Sequence, residues 1–129
     1  MSGERYLLDT NAVIQLFDGN LLLASLLNLA EYVAMSVVTV FEFLSYSELT
    51  DEERERFARF RAYIKVYGVP SDDDLYTQMI VSARQKYGLK LPDAIIAATA
   101  RANDLTILTA DVHFKHLKSP WKVRFYKPI

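Results

Sequence analysis

Cysteine is missing altogether. That excludes disulfide scaffolds and thiolate metal sites, and makes a reducing cytoplasm the simplest home. Glycine and proline are scarce, 4 of each in 129 residues, and there is no internal repeat, linker or low-complexity segment. A strong excess of one charge is also missing. The formal net charge is −1, so the chain as a whole is not a polycation built to coat nucleic acid. Long apolar runs are lacking too. The most apolar stretch, Leu21 to Ala34, is interrupted by Ser25, Asn28 and Glu31 and is too short to span a bilayer. The start, Met1-Ser2-Gly3-Glu4-Arg5, carries no secretory apolar region. A soluble cytoplasmic protein without a membrane segment is expected.

What is present is an ordinary globular composition. Hydrophobic residues make up 51% and charged residues 24%, which rules out disorder as the default. The length fits one domain, residues 1–129;. Arg5 to Leu8 reads as a short buried strand, and Ala12 to Phe17 as a helix behind the capping types Asp9, Thr10 and Asn11;. A second, unusually apolar helix follows Gly19-Asn20, and Tyr32 to Val38 reads as a central strand;. Ser36 and Thr39 offer capping oxygens before a helix from Val40 to Leu49. Thr50-Asp51-Glu52-Glu53 is a capping box that opens the next helix;. Beyond it come a short run, Lys65 to Val69, a helix from Ser71 to about Tyr87, and an Ala-rich helix from Ala94 to Asn103 begun by Pro92 and Asp93. Leu105 to Leu108 and Val123 to Tyr126 are the last strands. Alternating strands and helices predict an α/β domain with a short, mostly parallel sheet sandwiched by helices.

Four acids stand at the edges of apolar segments far apart in the chain: Asp9, Glu42, Asp93 and Asp111. Each has an ordinary alternative. Asp9 is a good N-cap, Asp93 complements a helix dipole, Asp111 can cap the turn after it, and Glu42 can be solvated. The strand and helix order nevertheless permits a common address. In open parallel sheets ligands bind beyond the carboxyl ends of the strands, where Asp9 and Asp111 lie. Glu42 is expected in the first turn or so of its helix and Asp93 at the start of another, near the same edge. Acids brought together near a core require a counter-charge. No Arg or Lys cluster adjoins them in sequence, so the natural partner is a divalent cation that favours oxygen, Mg²⁺ or Mn²⁺. Asp72, Asp73 and Asp74 need no such explanation at a helix start. A zinc site on His113 and His116 is weakly supported without a third nitrogen or sulfur ligand.

Taken together, the motifs resemble a PIN domain, and more closely a VapC-type toxin ribonuclease. The resemblance rests on Leu7-Leu8-Asp9-Thr10-Asn11, Thr39-Val40-Phe41-Glu42, Leu91-Pro92-Asp93-Ala94-Ile95-Ile96-Ala97-Ala98 and Leu108-Thr109-Ala110-Asp111, and covers essentially the whole chain. It implies an acidic quartet of Asp9, Glu42, Asp93 and Asp111 that binds Mg²⁺ or Mn²⁺, with Asn11 and Thr109 as polar supports. It also implies an endoribonuclease, a small VapB-like antitoxin as partner, and a homodimer. RNA would then need holding at the rim of an acidic pocket. Lys115, Lys118 and Lys122 belong to the stretch after Asp111 that contains no further acid, and are the candidates. The alternatives are a PIN-like RNA-processing nuclease that is not a toxin, and a non-catalytic PIN-like binding module. A haloacid-dehalogenase-like phosphatase would need a second Asp where Asn11 stands, and a response-regulator receiver an early acidic pair that is missing.

Overall fold

A computed structural model describes residues 3–129; Met1 and Ser2, with which the expected domain begins, lie outside them. Five strands form one sheet in the order β3-β2-β1-β4-β5, and every neighbouring pair is parallel. The strands are β1 (Arg5–Leu8), β2 (Tyr32–Ser36), β3 (Lys65–Tyr67), β4 (Thr106–Thr109) and β5 (Val123–Phe125). The helices are α1 (Thr10–Phe17), α2 (Leu21–Leu29), α3 (Val37–Leu44), α4 (Asp51–Tyr63), α5 (Asp74–Tyr87) and α6 (Leu91–Ala102), with a 3-10 turn at Val112–Phe114. Among the described residues no single helix is long and apolar enough to cross a membrane.

Side-chain alternation along the strands divides the core in two. Leu7, Ala34 and Ile107 face a layer built by α5 and α6, with Ala83, Ile96, Ala97 and Trp121 packed beside them. Tyr6, Leu8, Met35 and Leu108 face the other way, onto α1, α3 and α4 through Val13, Val40, Phe43 and Phe57. In that second layer the Phe43 and Phe57 rings stack at 4.2 Å, and Phe17 meets their edges. Buried rings of this size stabilise by about 1.5–3 kcal/mol each. They fix α1 and α3 against each other; Asp9 caps the first of these helices and Glu42 lies on the second.

The expected elements are present, with two boundary differences that matter. β2 ends at Ser36, and Val37 and Val38 already belong to α3. The Ser36 side chain accepts the Val38 amide at 3.1 Å, so a cap overrides the strand preference of the two valines. The helix stops at Leu44 rather than Leu49. Glu42 therefore lies in the second turn of α3, not the first. At the start of α5 the cap is Asp73, whose carboxylate accepts the Tyr76 amide at 3.0 Å. α2 buries only Leu23 fully, and Leu21 and Leu22 stand in solvent.

Candidate active site at the carboxyl edge of the sheet

Parallel strands deliver their ends to one edge, and four acids meet there. Asp9 follows β1, Asp111 follows β4, Glu42 comes from α3 and Asp93 from the first turn of α6. All four line a cleft of about 540 Å³, together with Thr10, Asn11, Phe41, Ser45 and Tyr46. No Lys or Arg is among its lining residues.

Each carboxylate has a different tether. Asp9 is only 3% exposed. One of its oxygens accepts the Ala12 amide at 2.8 Å, so it caps α1, and the other accepts the Thr109 hydroxyl. Burial pushes the Asp9 pKa up to about 6; the Thr109 and Ala12 hydrogen bonds oppose that shift, while Asp111 and Asp93 add to it;. Glu42 accepts the Thr10 hydroxyl at 2.5 Å, and that hydroxyl also lies 3.2 Å from the Thr39 hydroxyl. Asp111 accepts both the His113 amide at 2.8 Å and a contact from His113 Nδ1 at 2.7 Å. Thr109 links two of the acids, because its oxygen also accepts the Asp111 amide at 2.9 Å. Asp93 is half-buried. Burial raises its pKa, Asp111 and Glu42 raise it further, and His113 and Lys90 partly offset them.

The donor set is made of hard carboxylate oxygens, and burial first, with the neighbouring acids second, makes ionisation costly at Asp9 and Asp93. That chemistry fits Mg²⁺ or Mn²⁺. The side chains do not form a closed cage as they stand: among the described residues no three Asp, Glu or His groups are arranged to hold an ion. Asp9, Glu42 and Asp111 are held by hydrogen bonds from Thr109, Thr10 and His113 respectively.

The PIN domain sequence pattern matches residues 6–120. The chain belongs to the PIN domain family. As a fold this PIN domain is similar to a toxin-antitoxin complex from Klebsiella pneumoniae, with a TM-score of 0.75 and 28% identity over 91% of this chain and 98% of that one. It is also similar to VapBC2 from Rickettsia felis bound to a DNA fragment from their promoter, with a TM-score of 0.73 and 17% identity over 95% and 98% of the two chains. A third neighbour, VapBC-5 from Mycobacterium tuberculosis, has a TM-score of 0.64 and 24% identity over 94% and 96%. No curated protein matches.

Of the residues anticipated from sequence, the PIN domain brings Asp9, Glu42, Asp93, Asp111 and Asn11 together in the cleft, with Thr109 directly beneath. Lys115, Lys118 and Lys122 do not line it. Lys122 sits before β5, where its ammonium binds Asp104 at 2.6 Å, at the opposite end of the strands. Lys90 adjoins two of the acids, Asp93 and Asp111. It lines a smaller neighbouring cavity of about 210 Å³ shared with Asp93, Asp111 and His113. Thr10 was legible only as a capping type, and its role as the tether of Glu42 appears in the fold alone. Tyr126, read as a strand residue, buries a hydroxyl with no hydrogen-bond partner among the described residues, and burial together with the nearby Asp9 raises its pKa.

Proposed function

We propose that this PIN domain is a Mg²⁺- or Mn²⁺-dependent endoribonuclease, the toxin of a cytoplasmic toxin–antitoxin pair. The observation that carries this reading is the gathering of Asp9, Glu42, Asp93 and Asp111 in one cleft without a cation among its lining residues. Asp9 and Asp93 would hold the metal, with Glu42 and Asp111 completing the set. When bound, the ion supplies positive charge that activates water and steadies the oxygens of the phosphodiester during in-line hydrolysis. Thr109 and the Ala12 amide hold Asp9 in one orientation. Thr10 does the same for Glu42 and His113 for Asp111. Such outer hydrogen bonds are what keep a ligand set in order.

The toxin assignment draws on the neighbours, which are themselves toxin–antitoxin complexes. A small antitoxin and a second copy of the chain are the proposed protein partners. The apolar side chains of Leu21 and Leu22 on α2 stand in solvent, a surface of the kind that a partner covers.

The test is cleavage of total RNA by purified protein in Mg²⁺, in Mn²⁺ and in chelator, beside Asp9→Asn. Loss of an outer partner of a metal ligand costs about 10–100-fold, so replacing a ligand itself is expected to cost at least about a hundredfold. Discrete products that need metal and disappear in Asp9→Asn are the expected result. Equal cleavage by folded Asp9→Asn would overturn the assignment of Asp9. No cleavage by folded protein free of inhibitor would favour a binding module.

A further inference from the structure

The acidic cleft poses a binding problem of its own. A phosphodiester must approach four carboxylates, and the lining residues include no Lys or Arg to attract it. They do include two aromatic rings. Phe41 is 62% exposed and Tyr46 is 49% exposed, and neither ring is needed to fill the core. Phe43, on α3 with Phe41, performs that task against Phe17 and Phe57. Both rings sit on tethered backbone: the Ser45 hydroxyl donates to the Phe41 carbonyl at 2.6 Å, the Tyr46 amide to the Phe43 carbonyl at 3.4 Å, and the Leu49 amide to the Tyr46 carbonyl at 3.3 Å. An anchored backbone reduces what must be ordered when a ligand stacks on the rings it carries.

We propose that Phe41 and Tyr46 form a base-stacking wall that binds unpaired nucleotides beside the phosphate lying over the acids. This rests on the nuclease reading above. Stacking is attractive for every base, does not depend on charge, and is unaffected by the carboxylates. A duplex cannot use such a wall, because its bases are already stacked on each other. Binding is therefore to open strands, with weak preference among bases.

The experiment uses a short single-stranded RNA carrying 2-aminopurine, and a ribose-phosphate oligomer of equal length without bases. Binding is measured in Mg²⁺ on Asp9→Asn protein, so that strands stay intact, and cleavage of the same RNA by the wild type is followed separately. Phe41→Ala and Tyr46→Ala are each expected to weaken RNA binding about tenfold and to relieve the quenching of 2-aminopurine. Phe41→Trp and Tyr46→Phe should retain both. The oligomer without bases should bind all forms weakly and equally.

Unchanged affinity and quenching in Ala variants that melt like the parent would overturn the wall. So would equal affinity of the parent for the oligomers with and without bases. If the Ala variants instead convert a dimer to monomer at unchanged RNA affinity, the rings belong to a self-association face and the proposal fails. Metal-dependent cleavage by the wild type in any of these cases would leave the nuclease reading standing. Its absence alongside base-dependent binding would overturn that reading and not the wall.

Discussion

At the scale of single residues, burial and charge oppose each other most strongly at Asp9. Thr109 and the Ala12 amide favour its ionised form, yet loss of solvent prevails and sets the pKa at about 6 against an ordinary 3.8. An acid whose pKa is raised by folding stabilises the fold in its protonated form. That contribution is complete below about pH 3.8 and is lost as pH rises through about 6;. The difference corresponds to about 3 kcal/mol. In chelator, Asp9→Asn is therefore expected to melt several degrees above the wild type at neutral pH, with the gap closing near pH 4. A lower melting temperature for Asp9→Asn at neutral pH would mean that the hydrogen bonds to the carboxylate outweigh its burial. The four acids were legible in the sequence because each borders an apolar run or opens a helix, positions that the parallel topology sends to one edge. Thr10 was not, since its partners Thr39 and Glu42 are 29 and 32 residues away. Hydrogen bonds over such separations are made by tertiary packing and leave no local pattern.

Among the elements, the junction of β2 and α3 has the greatest consequence for the site. Val37 and Val38 read as strand because β-branched residues suit a pleated sheet. The fully buried Ser36 caps the helix before them, and so starts α3 earlier than the valines suggest. The shift decides where Phe41 and Glu42 point, since both follow within the next two turns. Replacing an N-cap serine by alanine costs about 1 kcal/mol. Ser36→Ala should lower the melting temperature by about 4 °C, and should reduce RNA cleavage because Glu42 is carried on that helix. An unchanged melt would mean that Val40 and Phe43 hold α3 in place without the cap. Elsewhere the pattern was easier to read. The run Arg5–Leu8 is β1 as expected, and the capping box at Thr50 opens α4 with both of its reciprocal hydrogen bonds. Both of these signals are contained within four residues of sequence and are kept in the fold.

For the molecule as a whole, the sheet's direction separates charges that the sequence runs together. Beyond Asp111 the chain holds no acid, so its lysines read as a rim around the carboxylates. The parallel pairing of β4 with β5 takes Lys122 out of that rim. The chain must return to the amino end of the sheet before β5 begins, and it carries Lys122 there to meet Asp104. A tally of charge along one dimension cannot register this reversal. Lys90 is far from that tail in sequence, yet it lies close enough to Asp93 to oppose the rise in its pKa. The two lysines should therefore differ in their effect on RNA. In a titration of Asp9→Asn protein over a range of salt concentrations, Lys90→Ala should weaken binding and reduce the salt slope by about one phosphate contact. Lys122→Ala should leave affinity and slope as they were. A loss of slope on removing Lys122 would require the strand to wrap round the domain from one end of the sheet to the other, and would extend the RNA footprint well beyond the cleft.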